Sequence, residues 1–412
     1  MIWGQPSSRV DERDTMFARM ARRPGSAAYE DYYRRHPDLK AVDDRLRAMP
    51  ELLQPGGMHF DLAICAEADR WFRGIDEITS DPTLVTRLTE RLRSAPDLTS
   101  GLQAVAVELG GVASGSCGLD PAFVYTHKGR FDHHYGQPIA LDHASAFVFL
   151  VEMDVDQMQR APHAEAIRES ARQYYRAAVI ARVLESALIA AGYAARAHYD
   201  AHYDVVLPPL AVAAGLGELG RHNLLIADRY GTRVRIGAVT TDAPLRHLEP
   251  TSRGVRRFCD ACLKCADNCP SRALSDGAPE DVRGIIKWPT DSVRCFAYWR
   301  RVGTDCGICM AVCPFSHRNT WLHNVVRGLV ARAPWLAAFL VRADDVVYGR
   351  GWPGRFRGGR SRQTPLTSRG MNPGGRNARL EPGPDTHDER DRPARAVVVD
   401  RLETRASQAV HR

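Results

Sequence analysis

Cys259-Asp-Ala-Cys262-Leu-Lys-Cys265-Ala-Asp-Asn-Cys269-Pro270 is the stretch that decides the fold of this chain. A second run, Cys306-Gly-Ile-Cys309-Met-Ala-Val-Cys313-Pro314, follows it, with Cys295 just upstream. Eight of the ten cysteines of the 412-residue chain therefore lie in one window of 55 residues. Such close, repeated spacing is typical of thiolates that bind metal.

The first run has the C-x2-C-x2-C-x3-C-P pattern, in which the fourth cysteine ligates the other of two [4Fe–4S] clusters. Two clusters need eight thiolates, and the window supplies eight. The crossed pattern predicts a first group, Cys259, Cys262, Cys265 and Cys313, and a second group, Cys269, Cys295, Cys306 and Cys309. The sequence thus predicts two [4Fe–4S] clusters that carry single electrons.

Zinc and disulfides are the competing interpretations of these cysteines. Zinc sites use two C-x2-C pairs with a longer spacer between them. Disulfides require an oxidising compartment. Neither fits the runs as well as iron–sulfur clusters. Cys65 and Cys117 stand alone, and we expect both to be buried free thiols.

Positive charge is concentrated at the C-terminus. Residues 355–412 carry 13 arginines against 7 acidic residues, which accounts for +6 of the formal charge of +7. The rest of the chain is close to neutral, which argues against a nucleic-acid surface on the folded part. The tail is rich in Gly, Pro and Arg, a composition that predicts disorder.

No apolar run is long enough to span a membrane. The N-terminal residues show no basic region followed by an apolar core, and no twin-arginine signal. We therefore expect a cytoplasmic protein without a membrane partner, a compartment that suits clusters and free thiols.

Local patterns predict the order of elements along the chain. Residues 1–110 read as a helical segment with turn signals, such as Pro55-Gly56-Gly57. The apolar run Ala146-Phe-Val-Phe-Leu-Val predicts a buried strand, and an apolar stripe from about Pro162 to Ala191 predicts a long helix. Leu224-Leu-Ile-Ala and Val234-Arg-Ile-Gly-Ala-Val-Thr predict two strands joined by a turn at 228–231.

These elements predict an α/β (α+β) fold with a ferredoxin-like two-cluster module. We divide the chain into a helical N-terminal segment, an α/β core, a cluster domain, a C-terminal helical segment and the basic tail. Their predicted bounds are 1–110, 111–250, 251–320, 321–352 and 353–412.

Several stretches, taken in order, resemble corrinoid-dependent reductive dehalogenases over roughly residues 10–352. Besides the two cysteine runs they are Glu12-Arg-Asp-Thr-Met-Phe-Ala-Arg, Tyr29-Glu-Asp-Tyr-Tyr-Arg-Arg-His-Pro, Gly192-Tyr193, Ala214-Gly-Leu-Gly-Glu-Leu-Gly-Arg, Val239-Thr-Thr-Asp-Ala-Pro-Leu, Lys287-Trp288, Cys295-Phe-Ala-Tyr-Trp299, Gly303-Thr-Asp-Cys-Gly-Ile-Cys, Trp321-Leu-His-Asn324 and Tyr348-Gly. The resemblance implies a nitroreductase-like core that binds base-off cobalamin, two [4Fe–4S] clusters that feed it electrons, and reductive removal of halide from an organohalide.

The resemblance also implies the catalytic residues. The family's proton donor is a tyrosine, which matches Tyr174, although Tyr174 also lies on the apolar stripe of a helix and could be an ordinary core residue. A phenol needs a cationic neighbour to act as an acid. The family's basic residue matches Arg233, with Arg235 as the alternative if the alignment slips by two. Asp200 stands where respiratory members commonly have Asn.

Four further residues are expected to contact side groups of the corrin through their backbone: Gly215, Gly217, Thr240 and Thr241. The Asp200-Ala-His202 sequence resembles the start of a corrinoid-ligand motif, but Val205 stands where that motif needs Gly. Because the family binds cobalamin without such a histidine, we interpret His202 as a pocket or surface residue.

Two alternative functions remain open at the sequence level. Epoxyqueuosine reductase, a tRNA-modifying relative, shares the cobalamin core and uses an aspartate where this chain has Asp200, but Glu218 and Arg221-His-Asn223 depart from its usual residues. A ferredoxin-type carrier would need no core of about 250 residues before its clusters. In the leading interpretation, the electron donor is a soluble ferredoxin or a flavin reductase on a separate chain.

Overall fold

A four-stranded sheet forms the centre of the fold. The computed structural model describes residues 6–250 and 252–352. The described residues form eight strands, of which four make the central sheet. They are β1 (Ala113–Gly118), β2 (Ser145–Glu152), β3 (Ala195–His198), β4 (Gly217–Leu219), β5 (Leu225–Ala227), β6 (Val234–Thr241), β7 (Glu280–Val282) and β8 (Ile285–Lys287). The central sheet has the order β1-β2-β6-β3 and is antiparallel throughout.

Fifteen α-helices surround this sheet or follow it within the described ranges. They are α1 (Met16–Ala21), α2 (Ala27–Arg35), α3 (Pro37–Arg47), α4 (Leu62–Gly74), α5 (Pro82–Ser94), α6 (Leu98–Glu108), α7 (Val155–Met158), α8 (Ala164–Ala190), α9 (Leu207–Ala213), α10 (Val255–Cys262), α11 (Lys264–Asp267), α12 (Ser292–Val302), α13 (Ile308–Ala311), α14 (Trp321–Arg332) and α15 (Ala337–Tyr348). Aspartates cap several of them, as Asp61 does by accepting from the backbone N–H of Ile64.

The 27-residue helix α8 packs along one face of the sheet. The strand residues Phe147, Phe149 and Val239 share a core with the inner face of α8 and with α5 and α6. Gly237 leaves room for the ring of Phe149, which a side chain at that position would meet at 2.3 Å. The N-terminal helices therefore complete the same core as the sheet.

The opposite face of the sheet packs against α9 and the β4–β5 pair. Gly217 allows β4 to approach β5, because a Cβ there would lie 2.3 Å from the carbonyl oxygen of Ile226. The predicted turn at 228–231 is present, but it does not make a hairpin of the flanking strands. β5 pairs with β4, whereas β6 joins the central sheet between β2 and β3.

The cysteine window folds into short helices and loops beside this core. Leu263 adopts a left-handed conformation (φ 59°) that separates α10 from α11 between Cys262 and Cys265. The buried Lys264 forms ion pairs with Asp344 and Asp345 of α15, at 3.0 Å for Asp345. The C-terminal helices are thereby packed onto the cysteine window.

No single helix in the described part of the chain is long and apolar enough to cross a membrane. Only α14 taken together with Pro334–Tyr348 reaches the required length and composition, across a bend of 112°. The predicted tail, 353–412, lies outside the described residues.

Candidate functional site

The eight clustered thiols fall into two sets of neighbours. Burial, followed by repulsion from Cys313, Cys265 and Cys262, raises the pKa of the Cys259 thiol well above its usual value. The neighbours of Cys259 are thus the other members of the first group. This is the division that the crossed pattern predicts, while ligation itself stays a prediction.

The second group is assembled in the same way. Burial, then repulsion from Cys306, Cys265, Cys295 and Cys269, raises the pKa of the Cys309 thiol well above its usual value. Three of these neighbours belong to the second group, and Cys265 belongs to the first. The two groups therefore lie side by side, as electron transfer between two clusters requires.

The donor set suits iron–sulfur clusters. Burial raises the pKa of Cys262 to about 11 and that of Cys306 to about 12, so these thiols need bound cations to become thiolates. The backbone N–H of Ala273 donates to the sulfur of Cys269 at 3.4 Å, a type of contact that tunes cluster potentials. In the described ranges, no set of three or more His, Cys, Asp or Glu residues converges on a single metal ion.

Tyr174 lies on α8, beneath the sheet, with its ring half-buried. The ring centre lies 6.2 Å from that of Phe72 on α4. Burial raises the pKa of the phenol, and the charge of Arg235 opposes that rise. Its hydroxyl makes no hydrogen bond to any described residue, so its proton remains available.

Arg235, rather than Arg233, is the cation beside Tyr174. The guanidinium carbon of Arg235 lies 4.3 Å from the centre of the Tyr174 ring. Arg233 is buried and donates to the backbone oxygens of Met153 and Ser316, both at 2.7 Å, and to the Glu152 carboxylate. Of the two predicted candidates, the structure places the fallback Arg235 beside Tyr174, and which of the two acts as its basic partner stays a prediction.

Ser170 and Asp305 hold Arg235 in place. The Ser170 hydroxyl donates to Asp305 Oδ2 at 2.6 Å, and Arg235 Nη2 donates to Ser170 Oγ at 2.6 Å. Arg235 Nη2 also lies 3.3 Å from Asp305 Oδ2. Because Asp305 precedes Cys306, this network connects the Tyr174 site directly to the second group of thiols.

Asp200 occupies a tight turn that faces the same site. The turn runs from Tyr199 to His202, with Ala201 in a left-handed conformation (φ 62°). The charge of Asp200 acts to raise the pKa of both Tyr174 and Tyr203. Asp200 therefore lies within electrostatic range of Tyr174, and it has no ion pair among the described residues.

The side chains of Thr240 and Thr241, two of the residues predicted to contact the corrin, form hydrogen bonds within the protein. Thr240 is fully buried, and its hydroxyl oxygen lies 2.8 Å from His198 Nε2 and 2.9 Å from His143 Nδ1. Thr241 is also fully buried and donates to the Ala194 carbonyl at 2.6 Å.

The two glycines have structural explanations as well. Gly217 serves the close approach of β4 to β5, and Gly215 has a positive φ (77°) and accepts from Arg253 through its carbonyl. The two threonine side chains are thus engaged within the protein, and contacts from the backbone of these four residues to a corrin stay a prediction.

The nearby histidines are also engaged. His202 Nε2 lies 2.7 Å from Asp76 Oδ1. Burial lowers the pKa of His198 to about 3, and its Nδ1 accepts from the backbone N–H of Asp204. Neither imidazole is placed as a free metal ligand.

Sequence reasoning missed Ser170 and Asp305. Asp305 adjoins Cys306, a predicted cluster ligand, but nothing local in Gly303-Thr-Asp-Cys306 indicates a contact with α8. A weak signal would have been the polar Ser170 four residues before Tyr174 and on the same face of α8, although Glu169, Gln173 and Glu185 are buried polar residues of this helix too.

Comparison with known proteins identifies a cluster domain and related sequences. Residues 258–317 match the family model of the 4Fe-4S dicluster domain. Tetrachloroethene reductive dehalogenases of Desulfitobacterium hafniense and Sulfurospirillum multivorans are 35% and 33% identical to the chain over 216 and 207 residues. An epoxyqueuosine reductase of Lactococcus garvieae is 29% identical over 112 residues, which is 26% of this chain and 31% of that protein.

The two dehalogenase alignments cover 50% and 48% of this chain, and 38% and 41% of the relatives. The chain thus spans about two fifths of the length of these curated relatives. The predicted resemblance to reductive dehalogenases is confirmed, with epoxyqueuosine reductase as the more distant relative.

Solved structures confirm the predicted fold class. A variant of the catabolic reductive dehalogenase NpRdhA superposes with a TM-score of 0.64 at 24% identity, over 85% of this chain and 48% of that one. A structure described as suggesting a mechanism for B12-dependent dehalogenation superposes with a TM-score of 0.63 over 85% and 49%. The chain has the reductive dehalogenase fold.

Proposed function

We propose that this chain is a corrinoid-dependent reductive dehalogenase. In this reaction an organohalide accepts two electrons and one proton, the carbon–halogen bond breaks, and halide leaves as a carbon–hydrogen bond forms. The observation that carries the proposal is the half-buried Tyr174 phenol, which lies under Arg235 with its hydroxyl unpartnered among the described residues.

Tyr174 is the proposed proton donor. Burial keeps its phenol protonated, because a raised pKa disfavours the charged phenolate. Arg235 then stabilises the phenolate that remains after proton transfer, since its positive charge lies against the ring. Ser170 and Asp305 orient Arg235 for this role through the 2.6 Å hydrogen bonds described above.

Cobalamin is the proposed second cofactor, and the residues present fit it on the proton-donor side. Tyr174, Asp200 and Tyr203 would face the group, and none of these three side chains has a hydrogen bond or ion pair to another described residue. When bound, the cobalt centre supplies the reducing power that breaks the carbon–halogen bond. Asp200 gives this wall a negative charge, which disfavours anionic substrates.

Two [4Fe–4S] clusters are the proposed route for electrons. The second group is the nearer one to Tyr174, because Asp305 connects its Cys306 to Arg235. Electrons therefore pass from the first group to the second and then to the site. We propose a soluble ferredoxin or a flavin reductase as their source.

The test uses anaerobic protein reconstituted with iron, sulfide and cobalamin. We expect about eight irons and one cobalt per chain, and halide release from some member of a panel of halogenated phenols and alkenes with reduced methyl viologen. Eight irons without bound cobalt would contradict the proposal and favour an electron carrier. Bound cobalt without halide release across the panel, together with turnover of an epoxyqueuosine tRNA stem-loop, would favour the tRNA-modifying alternative.

A further inference from the structure

Helix α15 is apolar on two faces. Its inner face buries Ala337, Leu340 and Val341 in the same cluster as Cys259 and Cys262. Its outer face has a stripe at helical spacing, formed with the residues that precede the helix: Trp335 (75% exposed), Phe339 (67%), Arg342 and Val346 (86%). Packing on the cysteine window explains the inner face and leaves the outer stripe without a function.

The surroundings of this stripe are also apolar. Nine of the fifteen large apolar side chains that are exposed in the described ranges lie between Trp321 and Tyr348. Such a concentration is unusual on the surface of a protein that works alone, and it marks an interaction surface. We name the outer faces of α14 and α15 the C-terminal apolar face.

The charge around the face is positive. Residues 318–352 contain five arginines and two acidic residues, Asp344 and Asp345. Both aspartates form ion pairs with Lys264, and Asp345 also pairs with Arg350. Arg332 and Arg342 are exposed and have no carboxylate partner among the described residues. A partner that complements this face would be acidic around an apolar centre.

The location of the face indicates what the partner does. α15 packs on α10, which carries Cys259 and Cys262 of the first group. The opposite end of the electron route is the second group, which Asp305 connects to Tyr174. A protein bound to the C-terminal apolar face would therefore lie next to the cluster at which electrons must enter.

We propose that the C-terminal apolar face is the docking site of an acidic one-electron carrier protein. In the transfer, the reduced carrier is oxidised by one electron and the first cluster is reduced by one, with no bond made or broken. The proposal rests on the proposed function only in that the two clusters carry electrons towards Tyr174.

The test measures cluster reduction in the full chain with both clusters reconstituted. Plant-type ferredoxin, kept reduced by its NADPH-dependent reductase, is mixed anaerobically with the protein, and the bleaching of the cluster absorbance is followed. Phe339→Ser and Arg342→Glu alter the face. Leu62→Ser (Leu62 is 74% exposed) and Arg70→Glu are matched controls on α4.

We expect Phe339→Ser and Arg342→Glu each to slow reduction by ferredoxin at least about tenfold at low salt. Added salt should slow the unmodified chain and have less effect on Arg342→Glu. Reduction by methyl viologen should stay unchanged in every variant, because that small donor needs no docking surface. The two control variants should match the unmodified chain.

Three results would overturn the proposal. One is equal reduction rates by ferredoxin in all variants, or no acceleration of the unmodified chain by ferredoxin. A second is loss of binding to phosphatidylserine vesicles in the face variants with the ferredoxin rate unchanged, which would assign the face to a membrane. A third is a dimer that Phe339→Ser converts to a monomer at an unchanged ferredoxin rate, which would assign it to a second copy.

Because this readout needs neither cobalamin nor an organohalide, its failure is separable from failure of the proposed function. A chain that shows the expected ferredoxin rates but releases no halide from any substrate would contradict the dehalogenase proposal alone. A chain that dehalogenates with methyl viologen but shows no effect of the face variants would contradict the docking proposal alone.

Discussion

The guanidinium of Arg235 lies over the ring of Tyr174, with 4.3 Å between the guanidinium carbon and the ring centre. Arg235 comes from β6, and Tyr174 comes from α8. The pairing thus depends on how the helix packs across the sheet, and it places a cation against the only group in the proposed site that we assign as a proton donor.

Replacement of Tyr174 by Phe removes the phenol proton and keeps the ring. We expect turnover to fall by about 100-fold or more, the scale of general acid catalysis, while the iron content and cluster spectra stay unchanged. Tyr175→Phe is the matched control, because its ring packs on Trp71 at 5.2 Å instead. Unchanged turnover in Tyr174→Phe, measured as halide release, would remove Tyr174 from the mechanism.

Arg235→Gln and Arg233→Gln separate the two candidate cations. We expect Arg235→Gln to lower turnover by about 100-fold. Loss of the nearby charge should also raise the pKa of Tyr174 further, so the alkaline limb of the pH–rate profile should move to higher pH.

Arg233→Gln should act mainly on stability. Its buried bonds to Met153 and Ser316 would be lost, at a cost of about 1–3 kcal/mol in the free energy of unfolding. A shifted pH–rate profile in Arg233→Gln, with none in Arg235→Gln, would reverse the assignment.

Asp305→Asn tests the connection between the proton donor and the second group. The variant weakens the contacts of residue 305 with Ser170 and Arg235, which orient the Arg235 guanidinium. We expect turnover to fall about tenfold. Removal of a negative charge beside Cys306 should raise the midpoint potential of that cluster, as measured by EPR during a redox titration. Asp81→Asn, at the exposed N-cap of α5, is the control, and an unchanged potential in Asp305→Asn would contradict the proposed proximity.

Cys295→Ala tests the ligand that lies outside both runs. We expect the iron content of the reconstituted protein to drop from about eight to about four per chain, because one cluster loses a ligand. Cys117→Ala should keep about eight, since Cys117 is a thiol buried in the core whose one hydrogen bond among the described residues goes to the Leu210 carbonyl. A full complement of iron in Cys295→Ala would require another eighth ligand.

The buried His198 should make the folded core less stable as the pH falls. Burial lowers its pKa to about 3, whereas an unfolded histidine titrates near pH 6.5. Between these values the unfolded chain binds one more proton, so this contribution to stability is complete above about pH 6.5 and is lost as the pH falls towards 3.

In this window we expect the unfolding free energy of the unmodified chain to change with pH more steeply than that of the His198→Gln variant. The difference in slope should be about 1.4 kcal/mol per pH unit. Urea unfolding at pH 6, 5.5 and 5, inside this window, measures both slopes. Equal slopes would show that His198 is not buried in its neutral form.

The sequence was most informative where the signal is local. The cysteine spacing contains the cluster pattern, and the continuous apolar run of β2 and the stripe of α8 each mark one element. β1 was not predicted, because Ala-Ser-Gly-Ser-Cys-Gly has no β-branched or aromatic residue. Its strand conformation comes from pairing with β2.

The choice between Arg233 and Arg235 depends on tertiary contacts that the sequence pattern does not show. Arg233 lies just before β6 and Arg235 lies within it, and residues two apart along extended backbone point to the same side, so the pattern alone does not distinguish them. Their roles diverge only because Ser170 and Asp305 reach Arg235, while Ser316 and Met153 reach Arg233. Those contacts join residues 65 or more positions apart and depend on the packed structure.

The ion pairs between Lys264 and the two aspartates of α15 set an order for biosynthesis. Lys264 lies between Cys262 and Cys265, yet its partners are about 80 residues further along the chain. A ribosome that has released the whole cysteine window has still not released the groups that neutralise this lysine. Maturation of the first cluster is therefore expected to await the last turn of α15, so a chain shortened before Ala337 would emerge with all eight cysteines and an unfinished cluster site.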